Sequence, residues 1–234
     1  MPRRKRGRVP ANHRWHRRGP RSAPRGLGRG EGVARVTLVD SGTGNLFSLR
    51  EAFRRTEMEV GIVRNARGIR EAECLVLPGV ASFPRMSRGI GPLRRELLAS
   101  TDRRVPLLGI CAGMQILFES SEEGPGNGLG LFPGRVSALR APVVPHMGWS
   151  PVRRKDDPWF AGLPPEPVVY FAHSFAAPAD SPGVVATAEH IAPFAAAIRR
   201  DALFGVQFHP EKSGPTGIAV LRGFLREAGV VPSS

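Results

Sequence analysis

Short apolar runs that alternate with helical patterns constrain the fold more than any other feature of this sequence. The alternation begins at Ala34, and its first helical pattern extends from Leu46 to about Arg55, with apolar side chains spaced along one face. A second helical pattern lies near Leu93–Ala99. The strand-like runs read A-R-V-T-L-V-D (34–40), V-G-I-V-R (60–64), C-L-V-L-P (74–78) and V-P-L-L-G-I (105–110). This order predicts a mostly parallel central sheet with helices on both faces.

The second half of the chain has a different pattern. Residues 131–210 contain several strand-like runs interrupted by proline and glycine, which indicates a smaller antiparallel portion. A final helix is expected at about Gly217–Ala228, with Thr216 as its N-cap and Gly229 as its C-terminal stop. Its buried stripe would consist of Ile218, Leu221, Phe224 and Leu225. The expected fold class is therefore α/β, in one domain of about 200 residues.

The net charge of +14 is concentrated at the N-terminal end of the chain. Residues 1–32 hold eleven Lys or Arg and one acidic residue, whereas the remainder holds 23 basic and 19 acidic residues. Because the segment 1–32 is also rich in Gly and Pro, we expect it to be a disordered basic extension ahead of a domain that spans 33–230. Such a segment could bind nucleic acid through phosphate charge, so a basic nucleic-acid-binding protein stays open as a function of a different class.

The cysteine count and the hydropathy favour a cytoplasmic location. A chain of this length with two cysteines, Cys74 and Cys111, and no secretory signal does not need a disulfide framework. No apolar stretch reaches the roughly 18 residues that suggest a membrane span. Cys74 lies in the apolar run E-C-L-V-L-P, and we expect it to be a buried core thiol.

Cys111 stands in a setting that is typical of a nucleophile. In L-L-G-I-C-A-G-M-Q (107–115), Gly109 and Gly113 flank the cysteine at the end of an apolar strand, which matches the nucleophile-elbow pattern with Cys in place of Ser. A strand-to-helix turn this sharp crowds the backbone, so glycine is favoured on either side. The following helix would point its N-terminus at the sulfur, and the Ala112 amide would face a forming oxyanion. For this motif alone, a buried structural cysteine in a tight turn remains the alternative.

A candidate base and its orienting group lie in Q-F-H-P-E (207–211), which ends an apolar run. His209 and Glu211 are two residues apart, and side chains at that spacing in an extended chain share one face, although Pro210 could bend the path. A carboxylate that holds one imidazole nitrogen leaves the other to take a proton from a thiol. Together with Cys111, the pair predicts a catalytic triad rather than an exposed histidine beside an unrelated glutamate.

The order Cys, then His-x-Glu, in an α/β chain of this size resembles the class I, triad-type glutamine amidotransferases, whose fold is flavodoxin-like. The resemblance covers about residues 34–228 and is most specific for the glutaminase subunits of imidazole glycerol phosphate synthase. Seven motifs occur in that family's order: V-D-S-G-T-G-N (39–45), L-P-G-V (77–80), G-I-C-A-G-M-Q (109–115), F-E-S-S-E-E-G (118–124), P-H-M-G-W (145–149), Y-F-A-H-S-F (170–175) and H-P-E-K-S-G (209–214). Among these, P-H-M-G-W and H-P-E-K-S discriminate best.

The resemblance implies an enzyme that hydrolyses glutamine to glutamate and ammonia through a cysteinyl thioester. Cys111 would be the nucleophile, His209 the base, and Glu211 the residue that orients His209. The second oxyanion-hole donor, beside the Ala112 amide, would come from the loop at Gly79 and Val80. The residues implied to bind glutamine are Gln115, Glu123, Ser174 and Phe175.

The resemblance also implies a partner, a (β/α)8-barrel synthase subunit that forms a heterodimer with this chain. Trp149 and Lys212 would lie at the docking face. Ammonia would pass through the barrel to a synthase that makes imidazole glycerol phosphate and aminoimidazole carboxamide ribotide in histidine biosynthesis. We expect no cofactor, no metal, no membrane and no specific nucleic acid. A glutaminase subunit of another class I amidotransferase remains the alternative among enzymes.

Three positions depart from the family pattern. The family usually has Tyr where Ser41 and Phe175 stand, and Gly where Ala81 follows P-G-V. The last departure matters most, because that loop is thought to rearrange when the oxyanion hole forms and Ala tolerates a positive φ poorly. Ala81 therefore bears on the ease of the rearrangement and leaves the identity of the nucleophile untouched.

Overall fold

The structure is a computed structural model that describes residues 35–230. The segment 1–32, for which we expect disorder and consider nucleic-acid binding, lies outside the described residues. The α-helices are α1 (Leu46–Arg54), α2 (Ala66–Glu71), α3 (Phe83–Ile90), α4 (Arg94–Asp102), α5 (Ala112–Gln115) and α6 (Gly214–Glu227), and 3₁₀ turns lie at Gly91–Leu93, Pro158–Phe160 and Pro210–Lys212. The strands are β1 (Arg35–Val39), β2 (Glu59–Val63), β3 (Leu75–Gly79), β4 (Leu107–Cys111), β5 (Ser120–Ser121), β6 (Arg135–Ala138), β7 (His146–Pro151), β8 (Arg153–Arg154), β9 (Val168–His173), β10 (Phe175–Ala176), β11 (Val184–His190), β12 (Ala192–Arg200) and β13 (Leu203–Val206).

The main sheet combines a parallel half with an antiparallel half. Within the described residues its eight strands follow the order β2-β1-β3-β4-β13-β12-β11-β8. The strands from β2 to β13 pair in parallel, and those from β13 to β8 pair antiparallel. Two smaller sheets contain β10-β6-β5 and β7-β9. The predicted fold class, α/β with a mostly parallel central sheet and a smaller antiparallel portion, is confirmed.

The central strands are buried on both faces, and this explains why their sequences are continuously apolar. In β3, Val76 packs into one apolar cluster, while Leu75 and Leu77 pack into the other. Phe53 of α1 and Phe224 of α6 belong to the first cluster. Helices α3 and α4 supply the second, through Phe83, Met86 and Leu97. Helices therefore cover both faces, as the alternation of strands and helices predicts.

The start of α6 differs from the prediction. Thr216 is not its N-cap: the helix begins at Gly214, and Ser213 occupies the cap position. Pro215 explains the earlier start, because proline is pre-organised for the first helical turn and has no N–H to leave unpaired there. Gly229 follows the helix with a φ of +69°, which agrees with its predicted role as the stop.

Two short helices were not anticipated from the sequence. In α2 the Asn65 side chain accepts a hydrogen bond from the Gly68 amide at 2.9 Å, which caps a helix too short to show clear periodicity. Helix α3 begins with Pro84 in its first turn and buries Phe83, Met86 and Ile90. Across residues 35–230, no helix is both long enough and apolar enough to cross a membrane.

Candidate active site

The carboxyl ends of three adjacent parallel strands meet at one edge of the sheet. β4 lies between β3 and β13, and the register places Cys111 opposite Gly79. His209 follows β13 by three residues, and its backbone N–H donates to the Tyr170 carbonyl at 2.9 Å. The topology thus brings together the elbow, the loop after β3 and the H-P-E segment. Ligands of open α/β sheets bind at this edge, outside the carboxyl ends of the strands.

The elbow at Cys111 is a sharp turn with a conformation that is uncommon for cysteine. Cys111 has a φ of +54°. A Cβ at position 113 would lie 1.8 Å from the Leu77 carbonyl oxygen, and one at position 109 would lie 2.5 Å from the Gly113 oxygen. Because no side chain fits at such distances, both flanking glycines are required by the close approach of backbone segments. The turn places the Cys111 sulfur at the sheet edge.

Helix α5 contributes less to the site than the sequence suggests. It comprises four residues, Ala112–Gln115, and therefore a single turn. The helix dipole is a sum over aligned peptides, so one turn supplies a weak field at the Cys111 sulfur. Side chains must provide most of the polarisation there.

His209 and Glu211 form a buried pair beside the nucleophile. Nδ1 of His209 lies 2.8 Å from Oε1 of Glu211, and both side chains are about 4% exposed. Pro210 starts a 3₁₀ turn, so the path does bend, yet the two side chains still meet. The other oxygen of Glu211, Oε2, is buried and has no hydrogen-bond partner among the described residues.

The surroundings of His209 favour its protonated form. Burial lowers the pKa of His209, but hydrogen bonds and charge interactions with Cys111 and Glu211 outweigh burial and raise the pKa to about 10, from an ordinary value of 6.5. His209 therefore holds a proton at neutral pH. A cation beside a cysteine sulfur is the arrangement in which that sulfur becomes a reactive nucleophile.

A cavity of about 340 Å³ opens over the Cys111 sulfur. Most residues that the sequence singles out line it: Val80, Cys111, Ala112, Gln115, Glu123, Ser174, Phe175, His209 and Lys212. Three of them do not, since Gly79 lies beneath the elbow, Glu211 lies behind His209, and Trp149 lies outside on the surface.

Two of the expected substrate-binding groups are already engaged in hydrogen bonds. Glu123 accepts the Phe83 N–H at 2.6 Å and so caps the start of α3. Nε2 of Gln115 donates to the Phe175 carbonyl at 2.7 Å, and that carbonyl also accepts from Nδ1 of His173 at 2.9 Å. The Phe175 carbonyl is thus saturated, and these bonds fix the wall of the cavity.

The loop after β3 does not present its amide to Cys111 in this structure. The Val80 N–H donates to the Thr43 carbonyl at 2.8 Å. The expected second oxyanion donor is therefore occupied by another acceptor, and a rotation of the Gly79–Val80 peptide is needed to release it. Ala81 does not adopt a positive φ here; the described non-glycine residues that do are Glu57, Arg104, Cys111, Ile191 and Asp201.

The rim of the cavity carries exposed apolar side chains. Trp149 is 57% exposed, and its ring meets the Tyr170 ring edge-on with centroids 6.0 Å apart. Nζ of Lys212 lies 5.5 Å from the centre of the same Tyr170 ring. Val80 and Met147, both more than half exposed, line the mouth. Trp149 and Lys212, far apart in sequence, therefore belong to one continuous surface.

Several residues at the site are not among those that the sequence motifs predict. His173 and Met147 line the cavity, and Gln207 is buried against the Cys111 sulfur. A signal for Gln207 existed, because it precedes His209 by two residues and period-two alternation puts both on one face. The positions of His173 and Met147 depend on how β7 and β9 pair, which the sequence does not reveal.

Comparison with known proteins places this chain in a family. A model of the glutamine amidotransferase class-I family matches residues 37–228. The imidazole glycerol phosphate synthase subunit HisH of Synechococcus sp. (strain JA-3-3Ab) is 43% identical over 205 residues, which are 82% of this chain and 94% of the relative. The protein of the same name from Halobacterium salinarum is 42% identical over 209 residues, 85% and 95% of the two chains.

Solved structures agree on the fold. A crystal structure of a glutamine amidotransferase matches with a TM-score of 0.68 at 20% identity and covers 83% of this chain and 99% of its own. The structure of PurLQS from Thermotoga maritima matches with a TM-score of 0.64 at 18% identity, over 83% and 99%. At these identities the likeness concerns the fold alone.

The raised pKa of His209 predicts a distinctive titration. The folded pKa of about 10 exceeds the ordinary 6.5, so the stabilisation from His209 is complete below about pH 6.5 and is lost as the pH rises through about 10. Nitrogen-15 NMR of labelled imidazoles should show His209 protonated at pH 8. Glu211→Gln removes one of the two groups that raise the pKa and should bring it down. A wild-type His209 that loses its proton below pH 7 would contradict this assignment.

Proposed function

We propose that this chain, which belongs to the class I glutamine amidotransferase family and within it to the imidazole glycerol phosphate synthase subunits, hydrolyses glutamine and passes the ammonia to a partner synthase in histidine biosynthesis. The observation that carries the proposal is that Cys111 and His209 line one cavity, with Glu211 holding Nδ1 of His209 from behind at 2.8 Å. A nucleophile, a proton donor and an orienting carboxylate are the groups that acyl transfer from an amide needs.

The reaction follows from where the proton lies. The Cys111 sulfur bonds to the amide carbon of glutamine, and the carbonyl oxygen becomes an oxyanion near the Ala112 amide. The carbon–nitrogen bond breaks as His209 gives its proton to the nitrogen, so ammonia leaves and a γ-glutamyl thioester remains. Water then adds to the thioester and gives a proton to His209, and cleavage of the carbon–sulfur bond releases glutamate and restores the pair.

Cys111→Ala tests the nucleophile directly. We expect the complex with the synthase subunit to lose glutamine-dependent synthesis by at least about a thousandfold, because members of a triad act as a unit. Synthesis from added ammonium salt should persist, since only the source of ammonia is removed. Cys74→Ala is the matched control, because Cys74 is fully buried in the core, and it should keep both activities. Glutamine-dependent turnover of Cys111→Ala within about tenfold of wild type would rule out the mechanism.

The hydrogen bond from Val80 to Thr43 supports a second part of the proposal, that the isolated subunit is a slow glutaminase. While that bond persists, the oxyanion can receive the Ala112 amide but not the Val80 amide. We propose that docking of the synthase subunit favours the rotated peptide. Ala81 resists this change if the rotation carries it to a positive φ, a conformation that glycine adopts freely.

Ala81→Gly tests the role of the loop. One oxyanion donor contributes about a hundredfold to a thousandfold in rate, so wild-type glutaminase turnover should rise by about that factor on addition of the synthase subunit and its ligand. In the complex, Ala81→Gly should be as fast as wild type or faster. Fixed-time assays of glutamate formation, with and without the synthase subunit, give the activation of the wild type and the turnover of Ala81→Gly relative to it. A strong loss of turnover in Ala81→Gly would show that the loop acts in another way.

The exposed rim of the cavity supports the position of the partner. Val80, Met147 and Trp149 are each more than half exposed. Val80 and Met147 line the opening above Cys111, and Trp149 lies on the surface two residues after Met147 on β7. Apolar and aromatic side chains clustered in this way are typical of protein interfaces. We propose that a (β/α)8-barrel synthase subunit covers this rim, with Lys212 at the same face, so that ammonia leaves the cavity directly into the partner.

Trp149→Ala tests the docking face. Aromatic anchors at interfaces commonly contribute about 2 kcal/mol or more, so the Kd for the synthase subunit should rise by about 30-fold. Isothermal titration calorimetry with purified partner measures it. Ile62→Ala is the control, because Ile62 is also exposed but lies on β2, the outer strand of the main sheet. Equal affinities for Trp149→Ala and wild type would place the interface elsewhere.

A further inference from the structure

Gln207 is a fully buried polar residue that directly follows β13. Its Nε2 lies 3.6 Å from the Cys111 sulfur, within hydrogen-bond range for sulfur as acceptor. Its Oε1 accepts a hydrogen bond from Nε2 of Gln115 at 3.1 Å. The side chain therefore approaches the nucleophile from within the protein, whereas His209 lines the open cavity.

The direction of the Gln207 amide follows from its neighbours and does not depend on telling nitrogen from oxygen at this position. The Phe175 carbonyl can only accept, so the Gln115 atom that faces it must be Nε2. The same Nε2 also faces Gln207, which must therefore present its oxygen there. This leaves Nε2 of Gln207 directed at the Cys111 sulfur.

A chain of hydrogen bonds holds the Phe175 carbonyl in place from the other side. Because that carbonyl takes the Nδ1 hydrogen of His173, Nε2 of His173 must accept, and Nδ1 of His146 donates to it at 3.2 Å. Nε2 of His146 then accepts from the Ser150 hydroxyl at 2.9 Å. Burial lowers the pKa of His173 to about 3 and that of His146 to about 4, so both rings are neutral, as this sequence of donors and acceptors requires.

We propose that Gln207 is a further catalytic residue, whose amide N–H donates a hydrogen bond to the Cys111 sulfur and favours its thiolate form. The inference rests on the proposed function, in which Cys111 is the nucleophile. A hydrogen bond to the charged form of an acid favours ionisation. The sulfur also lies 3.9 Å from the Ala172 carbonyl, an acceptor that can serve the thiol but not the thiolate. With α5 only one turn long, the Gln207 amide supplies a donor that the backbone does not.

The ionisation of Cys111 can be measured without partner or glutamine. The rate of alkylation by iodoacetamide is followed across pH, and peptide mass spectrometry separates Cys111 from Cys74. Cys74 is fully buried in the native protein, so its modification in the same sample reports unfolding. The titratable groups that share the cavity with Cys111 are Glu123, His173, His209 and Lys212, and none of them changes in the variants.

Gln207→Met keeps the approximate volume and removes the donor. A hydrogen bond to a charged group changes an equilibrium by about one to two powers of ten, so alkylation of Cys111 at neutral pH should slow by about tenfold to a hundredfold, with the midpoint of its pH profile moved upward. Glutamine turnover in the complex should fall by about tenfold to a hundredfold. Thr56→Val is the matched control: Thr56 is buried, donates one hydrogen bond to the Phe53 carbonyl, and lies at the end of α1, so its removal should leave the midpoint unchanged.

The outcomes separate this inference from the proposed function. If wild-type Cys111 is alkylated readily at neutral pH and Gln207→Met does not move the midpoint, with Cys74 protected, the role of Gln207 is overturned and the nucleophile stays intact. If wild-type Cys111 is alkylated at neutral pH no faster than a cysteine in an unstructured peptide, both are overturned. A reactive Cys74 in Gln207→Met would show that this variant unfolds. The test then uses Gln207→Asn, whose shorter side chain holds the amide farther from the Cys111 sulfur. An unmoved midpoint in that folded variant overturns the inference as well.

Discussion

Parallel pairing of β4 with both of its neighbours determines where Val80, Cys111 and His209 lie. Because β3, β4 and β13 run in the same direction, the segments that follow them emerge at one edge of the sheet. The elbow can form there because Gly113 lies against the Leu77 carbonyl, where a Cβ would be 1.8 Å from the oxygen. The active site thus depends first on contact between backbone segments, and its side chains are placed by that contact.

Side-chain charge compensates for what the short helix α5 does not supply. His209 and Glu211 are almost completely buried, and isolating either charge in the interior would cost far more than leaving it in water. Their 2.8 Å contact offsets that cost, and the hydrogen bond and charge interaction with Glu211 help to hold the proton on the imidazole. Ser213 accepts the Tyr170 N–H and donates to the His209 carbonyl, so the cap position of α6 also anchors the histidine.

The sequence predicts most of the architecture, because strands buried on both faces leave an unambiguous apolar pattern. It also predicts which residues line the cavity, since Gln115, Glu123 and His209 lie in recognisable motifs. The sequence does not predict three features, each for a physical reason. The start of α6 depends on Pro215 and on contacts of Ser213 with another strand. The Val80 N–H donates to the Thr43 carbonyl here, and the same sequence also allows a rotated peptide that would offer this N–H to an oxyanion at Cys111. The role of Gln207 depends on the direction of an amide, which is set by a carbonyl 32 residues away in the sequence.

The hydrogen-bond chain that ends on the Phe175 carbonyl has a consequence for the movement of protons. Every link has a fixed direction, and its central acceptor, a carbonyl, has no hydrogen to pass on. Amide side chains likewise hold their hydrogens at neutral pH. The chain therefore orients the groups around Cys111 but cannot conduct a proton away from them towards Ser150. A proton on His209 must therefore exchange by another route, and the cavity that His209 lines offers one.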